Sequence, residues 1–383
     1  MSVRSPRIVI VAFAGSDNLG DRCILAAEVD AIRRRYPDAW IAAPAVDPSR
    51  VAGLVNQPIR QTNLWGLRRE IRAADVVILG GGGLVQDDTS ILNLLYFLMP
   101  IRYANAAHVP TVSYGLGVGP IHRRWLRRWT GRVMSGMSRI CVRDAHSEKL
   151  LHSIGVSSSK IRVTADPAIT FTGREVEAPR PFGSGPRVAV ALRSYRERAG
   201  GFVPKSWAHN LGLSTRPSYD AVAMKLVPVL RWLADDLDAE FAFVPFQEAR
   251  DERVHVAVAE AASLGERAAN IRWPVSPATA RDILAESDLV LGMRLHACIL
   301  AAAGGTPFAA LSYSPKVQAF AESVGVGEAA IDVGRVSRDD LLGAVRRIWD
   351  GRRTLAAALG PATRRLAEAE AGNIETVARA LGW

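Results

Sequence analysis

The sequence is poor in cysteine and lacks long apolar runs. Its 383 residues include three cysteines, Cys23, Cys141 and Cys298, which lie far apart and without the spacing of metal ligands. Such usage is typical of the reducing cytoplasm and argues against a structural zinc, so we expect no metal ion. No stretch of about eighteen or more residues is apolar and uncharged, so no transmembrane helix is expected. The short apolar run near the N-terminus lacks a cleavage site and predicts a first strand rather than a signal peptide.

Acidic residues are outnumbered by basic ones. The chain has 38 Asp and Glu against 48 Lys and Arg, a net charge of +10. This excess favours an anionic partner, which can be nucleic acid, a membrane surface or an acidic substrate. Zinc-finger, RRM and KH signatures are absent, and the arginines are scattered among alanine and leucine. We therefore expect no nucleic acid partner.

One basic cluster falls at residues 122–133, HRRWLRRWTGRV. At about 100° per residue, a helix here separates a basic face from an apolar face. The basic face carries Arg123, Arg124, Arg127 and Arg128, and the apolar face carries Trp125, Leu126, Trp129 and Val133. A cationic helix with tryptophans is typical of a peripheral membrane contact. The alternative, left open by the sequence, is a surface helix that packs its tryptophan side on the domain core.

Short apolar runs rich in β-branched residues alternate with helical patterns along the chain, which predicts parallel sheets covered by helices on both faces. A stretch rich in proline, glycine and charge at 172–186 predicts a linker. We therefore expect an α/β protein with two Rossmann-like domains, 1–175 and 186–350, whose parallel sheets face a cleft, followed by a helical segment, 351–383. Strands are predicted at 7–14, 75–79, 110–114, 139–142, 161–164, 188–192, 240–245, 270–273, 288–291 and 308–311.

The loop after the first strand, GSDNLGD, opens the first helix. It does not match GxGxxG, which argues against a dinucleotide site. Asp17, Asn18, Gly20 and Asp21 lie where backbone N–H groups and small side chains can hold a polar or anionic ligand. The alternative is a simple capping turn with Asp21 near the N-cap.

Two further strand ends are rich in glycine. The first, GGGGLVQDDTS, lets the backbone approach a ligand closely or adopt positive φ, and it lacks the Lys-Ser/Thr of a Walker loop. The second is YGLGVGP. Together they predict a binding rim, whose candidate substrate-binding residues are Gly81, Gly82, Gly83, Gln86, Asp87, Gly117 and Gly119.

Basic side chains follow several strands of the second half. Arg193, Arg294 and Lys316 come at the carboxyl ends of neighbouring predicted strands, where converging positive charge predicts a phosphate or carboxylate ligand. His296, at a helix start, can serve as an acid or base near neutral pH. The alternatives are a salt bridge from Arg294 to a carboxylate in the cleft, and a buried, hydrogen-bonded imidazole for His296. His255, outside this setting, is interpreted as structural.

Seven motifs occur in order from residue 15 to about residue 325: GSDNLGD, LGGGGLVQDDTS, YGLGVGP, VRDAHSEKLLHSIGV, VTADPA, GMRLHACILAAAGGTP and SYSPKV. In this order and spacing they resemble the polysaccharide pyruvyl transferase family. The resemblance implies a glycosyltransferase-B-like (GT-B-like) pair of domains. It also implies transfer of pyruvate from phosphoenolpyruvate to two hydroxyls of a sugar as a cyclic ketal, with release of phosphate.

The resemblance further implies no metal and no cofactor, with phosphoenolpyruvate as co-substrate. The acceptor would be a lipid-linked or nucleotide-linked saccharide, used in the cytoplasm at the inner face of the plasma membrane. The family's RLH motif falls on Arg294, Leu295 and His296, expected at the phosphoenolpyruvate site. Lys316 and Arg143 match further family positions, and Arg193 is a looser match. The chain departs from the family pattern at Arg22-Cys23 and at Ser314.

On this hypothesis His296 is the general acid and base, and Arg294, Arg193 and Lys316 hold the anionic donor. Arg143 would hold the acceptor's phosphate or the donor from across the cleft. Asp17, Asn18 and Asp21, with the glycine loops, would line the acceptor side. Two other hypotheses stay open, namely a GT-B-type glycosyltransferase that uses a nucleotide sugar, and a non-catalytic scaffold that works through the Arg/Trp helix.

Overall fold

The computed structural model describes residues 5–88, 90–173, 184–193, 222–247, 250–270, 275–313 and 315–382. Most of the predicted linker at 172–186 lies outside these residues. So do Ser314, most of the strand expected at 270–273, and the first residues of a helix that the sequence pattern predicts over about 219–237.

The N-terminal half contains two parallel sheets, where the sequence pattern predicted one. The first sheet has the strand order β3-β2-β1-β4-β6. Its central strand is β1, and in β1 and β4 apolar side chains fill both faces of the sheet because helices cover both sides. The strands are β1 (Arg7–Val11), β2 (Trp40–Ala45), β3 (Gln57–Arg60), β4 (Val76–Leu79) and β6 (Thr111–Ser113).

The second sheet of this half has four short strands in the order β5-β7-β8-β9. Its first strand lies within the glycine run, which the sequence predicted to be a loop. Gly82, at φ +88°, occupies a backbone region that favours glycine. The strands are β5 (Gly82–Val85), β7 (Leu116–Val118), β8 (Ile140–Val142) and β9 (Ile161–Val163).

The C-terminal half is built on one parallel sheet of six strands, in the order β12-β11-β10-β13-β14-β15. The chain order reverses on either side of β10, so the loops after β10 and β13 flank the switch point where such sheets bind ligands. The strands are β10 (Arg187–Ala191), β11 (Glu240–Phe243), β12 (Ala268–Asn270), β13 (Leu289–Gly292), β14 (Phe308–Ser312) and β15 (Ala330–Asp332). The predicted pair of Rossmann-like α/β halves is confirmed.

Helices cover both faces of these sheets. They are α1 (Leu19–Arg35), α2 (Leu64–Ala73), α3 (Ile91–Ala106), α4 (Arg124–Ser135), α5 (Ala145–Ser153), α6 (Val227–Leu237), α7 (Arg250–Ala261), α8 (Pro277–Ala285), α9 (Leu295–Ala303), α10 (Pro315–Ser323), α11 (Arg338–Asp350) and α12 (Arg352–Ala380). The inner sides of α2, α3 and α4 belong to one hydrophobic cluster on one face of the N-terminal half. Helix α1 contributes to the cluster on the opposite face.

Helix α12 joins the two halves. Leu355 and Leu359 near its start belong to the core of the C-terminal half, and Val377 near its end belongs to the core of the N-terminal half. Asn373 accepts the N–H of Gly115 at 3.0 Å and the hydroxyl of Thr164 at 2.8 Å. The segment that the sequence analysis predicted to be helical, 351–383, thus contains a helix that packs into both halves.

The predicted Arg/Trp helix forms as α4. Leu126 and Val133 are buried and Trp129 packs partly against the core, but Trp125 is exposed. The two tryptophans therefore do not share one environment. Among the helices that the structure describes, none combines the length and apolar character needed to cross a membrane.

Candidate active site

The site is built where the start of α1 meets the C-terminal half. Asn18, not Asp21, is the N-cap of α1, and its side chain accepts the N–H of Gly20 at 3.1 Å. Asn18 also donates to the carboxylate of Asp21 at 2.7 Å. Burial raises the pKa of Asp21 to about 7; the bond from Asn18 opposes this shift and the neighbouring Asp166 adds to it. The side chain of Asp21 therefore titrates near neutral pH.

Backbone contacts fix α1 against the other half. The N–H of Leu19 donates to the carbonyl of Phe246 at 2.9 Å, and Asn18 forms an antiparallel bridge with Gln247. The guanidinium of Arg22 donates to the carbonyl of Val275 at 2.9 Å. Arg22, where the chain departs from the family pattern, thus serves the contact between the two halves.

His296 packs directly on Gly20. A Cβ atom added to Gly20 would lie 2.1 Å from Nδ1 of His296, so any larger residue there collides with the imidazole. Burial lowers the pKa of His296, the carboxylate of Asp166 opposes this shift, and Arg143 and Arg294 add to it. Its Nε2 is buried, lies 3.8 Å from Asp166, and has no hydrogen-bond partner among the described residues. The geometry thus leaves Nε2 of this imidazole without a hydrogen-bond partner among the described residues.

The glycine run, residues 80–83, forms the wall of the cleft that belongs to the N-terminal half. A Cβ atom at Gly82 would lie 3.3 Å from the Asp21 carboxylate, and one at Gly83 would lie 3.5 Å from Nζ of Lys316. The N–H of Gly81 donates to the carboxylate of Glu28 at 2.5 Å. These glycines bring backbone from the N-terminal half within reach of a lysine from the C-terminal half.

Glu28 is a site residue that the sequence analysis missed. Its side chain is fully buried beneath the glycine run, and burial raises its pKa to about 8, although the bond from Gly81 opposes the shift. Its second carboxylate oxygen has no partner among the described residues. The available signal was an acidic residue between the apolar residues of ILAAEV in α1.

Arg143 follows β8 and lies flat on Gly117. A Cβ atom at Gly117 would lie 2.9 Å from the guanidinium. Arg143 donates to Asp166 at 2.9 Å and to Asp144 at 3.4 Å. Asp166 also accepts the N–H of Ala168 and so caps a short 3-10 helix, Pro167–Thr170, against which α9 packs. Asp166, which the sequence analysis included only within the motif VTADPA, thus links Arg143 to His296.

Lys316, at the start of α10, faces Arg143 across the cleft. Its side chain is exposed, yet it is surrounded by enough protein that desolvation lowers its pKa to about 8. The charge of Arg143 adds to this shift, while Asp144 and Asp88 oppose it. Lys316 and Arg143 therefore share one electrostatic environment.

Arg294 forms a salt bridge, which the sequence analysis gave as the alternative to anion binding. Its guanidinium donates to both carboxylate oxygens of Asp251, at 3.0 and 2.5 Å, and to the side chain of Gln247 at 3.2 Å. Burial disfavours its charge, but Asp251 more than compensates and raises its pKa. Asp251 also accepts the N–H groups of Phe246 and Gln247, the residues that contact α1. The charge of Arg294 is therefore paired with that of Asp251, and its contact with an anionic ligand stays a prediction.

Two residues near Arg294 complete the wall of the cleft that belongs to the C-terminal half. Arg193 donates to the hydroxyl of Tyr313, and its guanidinium lies 4.4 Å from the centre of that ring. His255 accepts the N–H of Leu192 at 3.1 Å, and burial lowers its pKa to about 4. His255 is a buried structural imidazole, in agreement with the sequence interpretation.

Four predicted substrate-binding residues have structural contacts, and Asp17 lies near the site. Asp87 accepts the N–H groups of His122 and Arg123 and so fixes the start of α4. Gly119, at φ +96°, packs where a Cβ atom would lie 2.4 Å from Leu150. Leu295 is partly buried against the C-terminal core, and Gln86 is partly buried after β5. Asp17 is partly buried beside the N-cap of α1 and raises the pKa of Asp21.

Metal ligation is also a question of geometry. Within the described ranges, no group of three or more His, Cys, Asp or Glu side chains is arranged to hold a metal ion.

Solved structures with the same architecture define the fold class of the protein. A UDP-N-acetylglucosamine 2-epimerase superposes with a TM-score of 0.62 at 12% identity, covering 95% of each chain. The UDP-N-acetylglucosamine 2-epimerase of Neisseria meningitidis, solved with UDP-N-acetylglucosamine, gives a TM-score of 0.61 at 12% identity and covers 97% of this chain and all of its own. At this level of identity the likeness defines a GT-B-type fold and nothing more.

The family follows from the sequence. The model of the polysaccharide pyruvyl transferase family matches residues 18–315, and the chain belongs to that family. The amylovoran biosynthesis protein AmsJ of Erwinia amylovora is 20% identical over 297 residues, which cover 73% of this chain and 67% of AmsJ. The resemblance predicted from the seven motifs is confirmed, and the protein is a transferase of polysaccharide pyruvylation.

Proposed function

We propose that the protein transfers pyruvate from phosphoenolpyruvate to two hydroxyls of a saccharide as a cyclic ketal, with release of phosphate. The observation that carries this proposal is the unused Nε2 of buried His296 beside Asp166, in a cleft that also holds Arg143 and Lys316. Phosphoenolpyruvate needs cations for its carboxylate and phosphate and a proton donor for its methylene carbon. Family membership supports pyruvyl transfer in general.

Arg143 and Lys316 are the proposed donor-binding cations. A guanidinium keeps its charge at every relevant pH and can bind a carboxylate or phosphate through two parallel bonds. A bound anion would favour the protonated form of Lys316, whose pKa of about 8 in the free protein is already close to neutral pH. Arg193 is proposed as an outer cation of the same wall, held by Tyr313.

His296 is the proposed general acid and base. A bound anion raises the pKa of the neutral imidazole, so that it can protonate the methylene carbon and make C2 oxocarbenium-like. The first sugar hydroxyl then bonds to C2 and returns a proton to His296. The second hydroxyl bonds to C2 as the C–O bond to phosphate breaks. Asp21, with a pKa of about 7, is positioned to accept that second proton.

Arg294 has a different proposed role. Its paired charge makes it a positioning residue, which holds Asp251 and the loop at Phe246 and Gln247 against α1. Leu295 follows it as a packing residue of the same helix start.

Replacement of His296 tests the proposal. Phosphate release from phosphoenolpyruvate is measured with a panel of nucleotide sugars and lipid-linked disaccharides as acceptors. His296→Ala should lower the rate by about 10²–10⁴, the usual contribution of a general acid or base. The control His152→Ala removes a histidine near the end of α5, whose ring contacts the carbonyl of Val156 and lies 3.9 Å from Glu148, and it should retain the wild-type rate. Full turnover by His296→Ala would exclude the assignment.

A second candidate function is glycosyl transfer from a nucleotide sugar. It is favoured by the fold, since one structural neighbour was solved with UDP-N-acetylglucosamine. Heat stabilisation by phosphoenolpyruvate, but not by UDP- or GDP-sugars, supports pyruvyl transfer, and the reverse pattern supports glycosyl transfer. A lipid-linked or nucleotide-linked acceptor, the absence of a cofactor and a cytoplasmic location stay predictions from the sequence.

A further inference from the structure

Exposed apolar side chains gather on one face of the N-terminal half. Of the eight large apolar side chains that are exposed among the described residues, four lie on α2, α3 and α4. Their exposed fractions are 57% for Leu64, 82% for Trp65, 44% for Met99 and 53% for Trp125. We call these four residues the outer patch. Single exposed apolar residues are common, but such a grouping marks an interaction surface.

The three helices form one layer, so the outer patch has one orientation. Their buried residues, among them Leu67, Phe97 and Leu126, belong to the same hydrophobic cluster beneath the layer. Helix α3 lies between the other two, since it contacts both α2 and α4. Side chains on the outward side of this layer therefore face the same region of solvent.

Positive charge surrounds the outer patch. The three helices carry eight arginines, three on α2, one on α3 and four on α4. Their one acidic residue, Glu70, is buried and paired with Arg7 and Arg69. Arg68 lies 5.9 Å from the ring centre of Trp65 and 5.3 Å from that of Tyr103, distances typical of cation–π contacts. The face thus combines tryptophan with a large excess of positive charge.

We propose that this face docks the protein on an anionic lipid membrane. Tryptophan and arginine together suit the interface between headgroups and acyl chains, and a negative leaflet complements the arginines. A symmetric dimer through the same face would instead bring arginine against arginine. Arg128 and Arg132 also line a shallow depression with Ile154 and Gly155, into which a lipid phosphate can fit.

The face that carries the outer patch is connected to the candidate active site. Asp87, four residues after Gly83, holds the N–H groups of His122 and Arg123 at the start of α4. A membrane at α4 would therefore lie beside the glycine wall of the cleft. This last step rests on the proposed function, because it gives a lipid-linked saccharide a short path to the site.

Vesicle flotation of the full chain tests the proposal. Wild-type protein should float with vesicles of phosphatidylcholine mixed with phosphatidylglycerol, and not with phosphatidylcholine alone. High salt should release it, because the Debye length falls to about 3 Å at 1 M. Arg124→Gln with Arg128→Gln should weaken binding roughly thirtyfold, about fivefold for each charge. Trp65→Ser with Trp125→Ser should weaken it about tenfold or more.

A matched pair elsewhere provides the control. Val256→Ser with Arg353→Gln changes an exposed apolar and an exposed basic residue of the C-terminal half and should retain wild-type binding. Thermal unfolding confirms that each variant is folded. Failure of wild type to bind, equal binding to neutral vesicles, or equal loss in the control overturns the proposal. A wild-type dimer that the tryptophan variants convert to monomer would overturn it in favour of a contact between copies.

Vesicle binding is measured without substrate, so its outcome is independent of the proposed chemistry. Phosphate release with a soluble nucleotide sugar in turn needs no membrane. If vesicle binding fails while His296-dependent phosphate release persists, only the docking proposal is wrong.

Discussion

The pKa values of ionisable groups are raised on one wall of the cleft and lowered on the other, and both shifts favour the uncharged forms of those groups. On the N-terminal wall, burial raises the pKa values of two carboxyl groups, to about 7 for Asp21 and about 8 for Glu28. On the C-terminal wall, desolvation lowers the pKa values of His296 and Lys316. Both shifts favour the uncharged forms, because a desolvated site penalises charge of either sign. Guanidinium groups resist this effect and keep their charge.

The arginines of the two walls differ in what surrounds that charge. Arg294 has both oxygens of Asp251 on one edge of its guanidinium, so its charge is cancelled locally. Arg143 is paired as well, but with two different carboxylates, through one 2.9 Å bond to Asp166 and a longer one to Asp144. A cation at a strand end is therefore not sufficient evidence for an anion site. The carboxylates that pair with it decide whether it stabilises the wall of the cleft or binds the ligand.

The largest expected effect separates these two arginines. Arg294→Ala leaves the buried carboxylate of Asp251 unpaired and should lower the free energy of unfolding by about 3–5 kcal/mol. Arg143→Ala leaves buried Asp166 without its cation and should also lower the free energy of unfolding. In addition it should reduce phosphate release by about 10² or more, because it removes charge stabilisation in the transition state. Denaturant titration and a phosphate-release assay measure the two effects.

Arg294→Lys serves as the partner variant, since it keeps the charge but loses the two-oxygen contact. It should recover part of the stability that Arg294→Ala loses. If Arg143→Ala lost more stability than Arg294→Ala while retaining activity, the roles assigned to the two arginines would have to be exchanged.

A smaller effect isolates the N-terminal wall. The pKa of Glu28 is raised from 4.5 to about 8 in the folded protein, so the stability it contributes is present below pH 4.5 and is lost as the pH rises through about 8. Glu28→Gln keeps an acceptor for the N–H of Gly81 and removes this loss. The variant should be more stable than wild type at pH 8, by about 2–4 kcal/mol, and should lose that advantage near pH 5.

Urea titrations of both proteins at the two pH values provide the measurement. An equal difference at pH 5 and pH 8 would mean that Glu28 is ionised throughout and that the glycine wall does not hold a neutral acid.

The smallest effect concerns the contact between the walls. Gly20→Ala places a methyl group where the ring of His296 lies, and the imidazole must move. Displacement of a catalytic group by about 1 Å can cost up to about 10² in rate, so we expect a ten- to hundredfold loss of phosphate release. Gly53→Ala meets no atom within 4 Å and should retain activity. Wild-type turnover in Gly20→Ala would show that His296 tolerates a different position.

The α/β alternation was predictable from sequence because most of the strands expected from it are runs of buried apolar residues, as in IVIV of β1. Other strands gave no comparable signal. Strand β5 lies in a glycine run and has few side chains to create a pattern, and β3, QPIR, is short and partly exposed. Pairing with neighbours, not local preference, makes these segments strands.

The residues of the candidate site also divide into those that the sequence predicts and those that it does not. Arg143, His296 and Lys316 follow strands within recognisable motifs, so their grouping could be expected from the carboxyl-end rule for parallel sheets. Asp251 lies 43 residues before Arg294 on a different helix, and its pairing depends on how α7 packs. Glu28 is hidden in a helix and acquires its role only when the glycine run folds over it. Local sequence contains neither relation.

Helix α12 has a consequence for how the chain is made. Asn373 satisfies the N–H of Gly115 and the hydroxyl of Thr164, and Val377 fills the core of the N-terminal half. These partners leave the ribosome more than two hundred residues after the segments they complete. Domains generally fold in order of synthesis, but here the first half cannot close its core until the last helix emerges. We expect the nascent N-terminal half to remain incompletely packed until α12 has been synthesised.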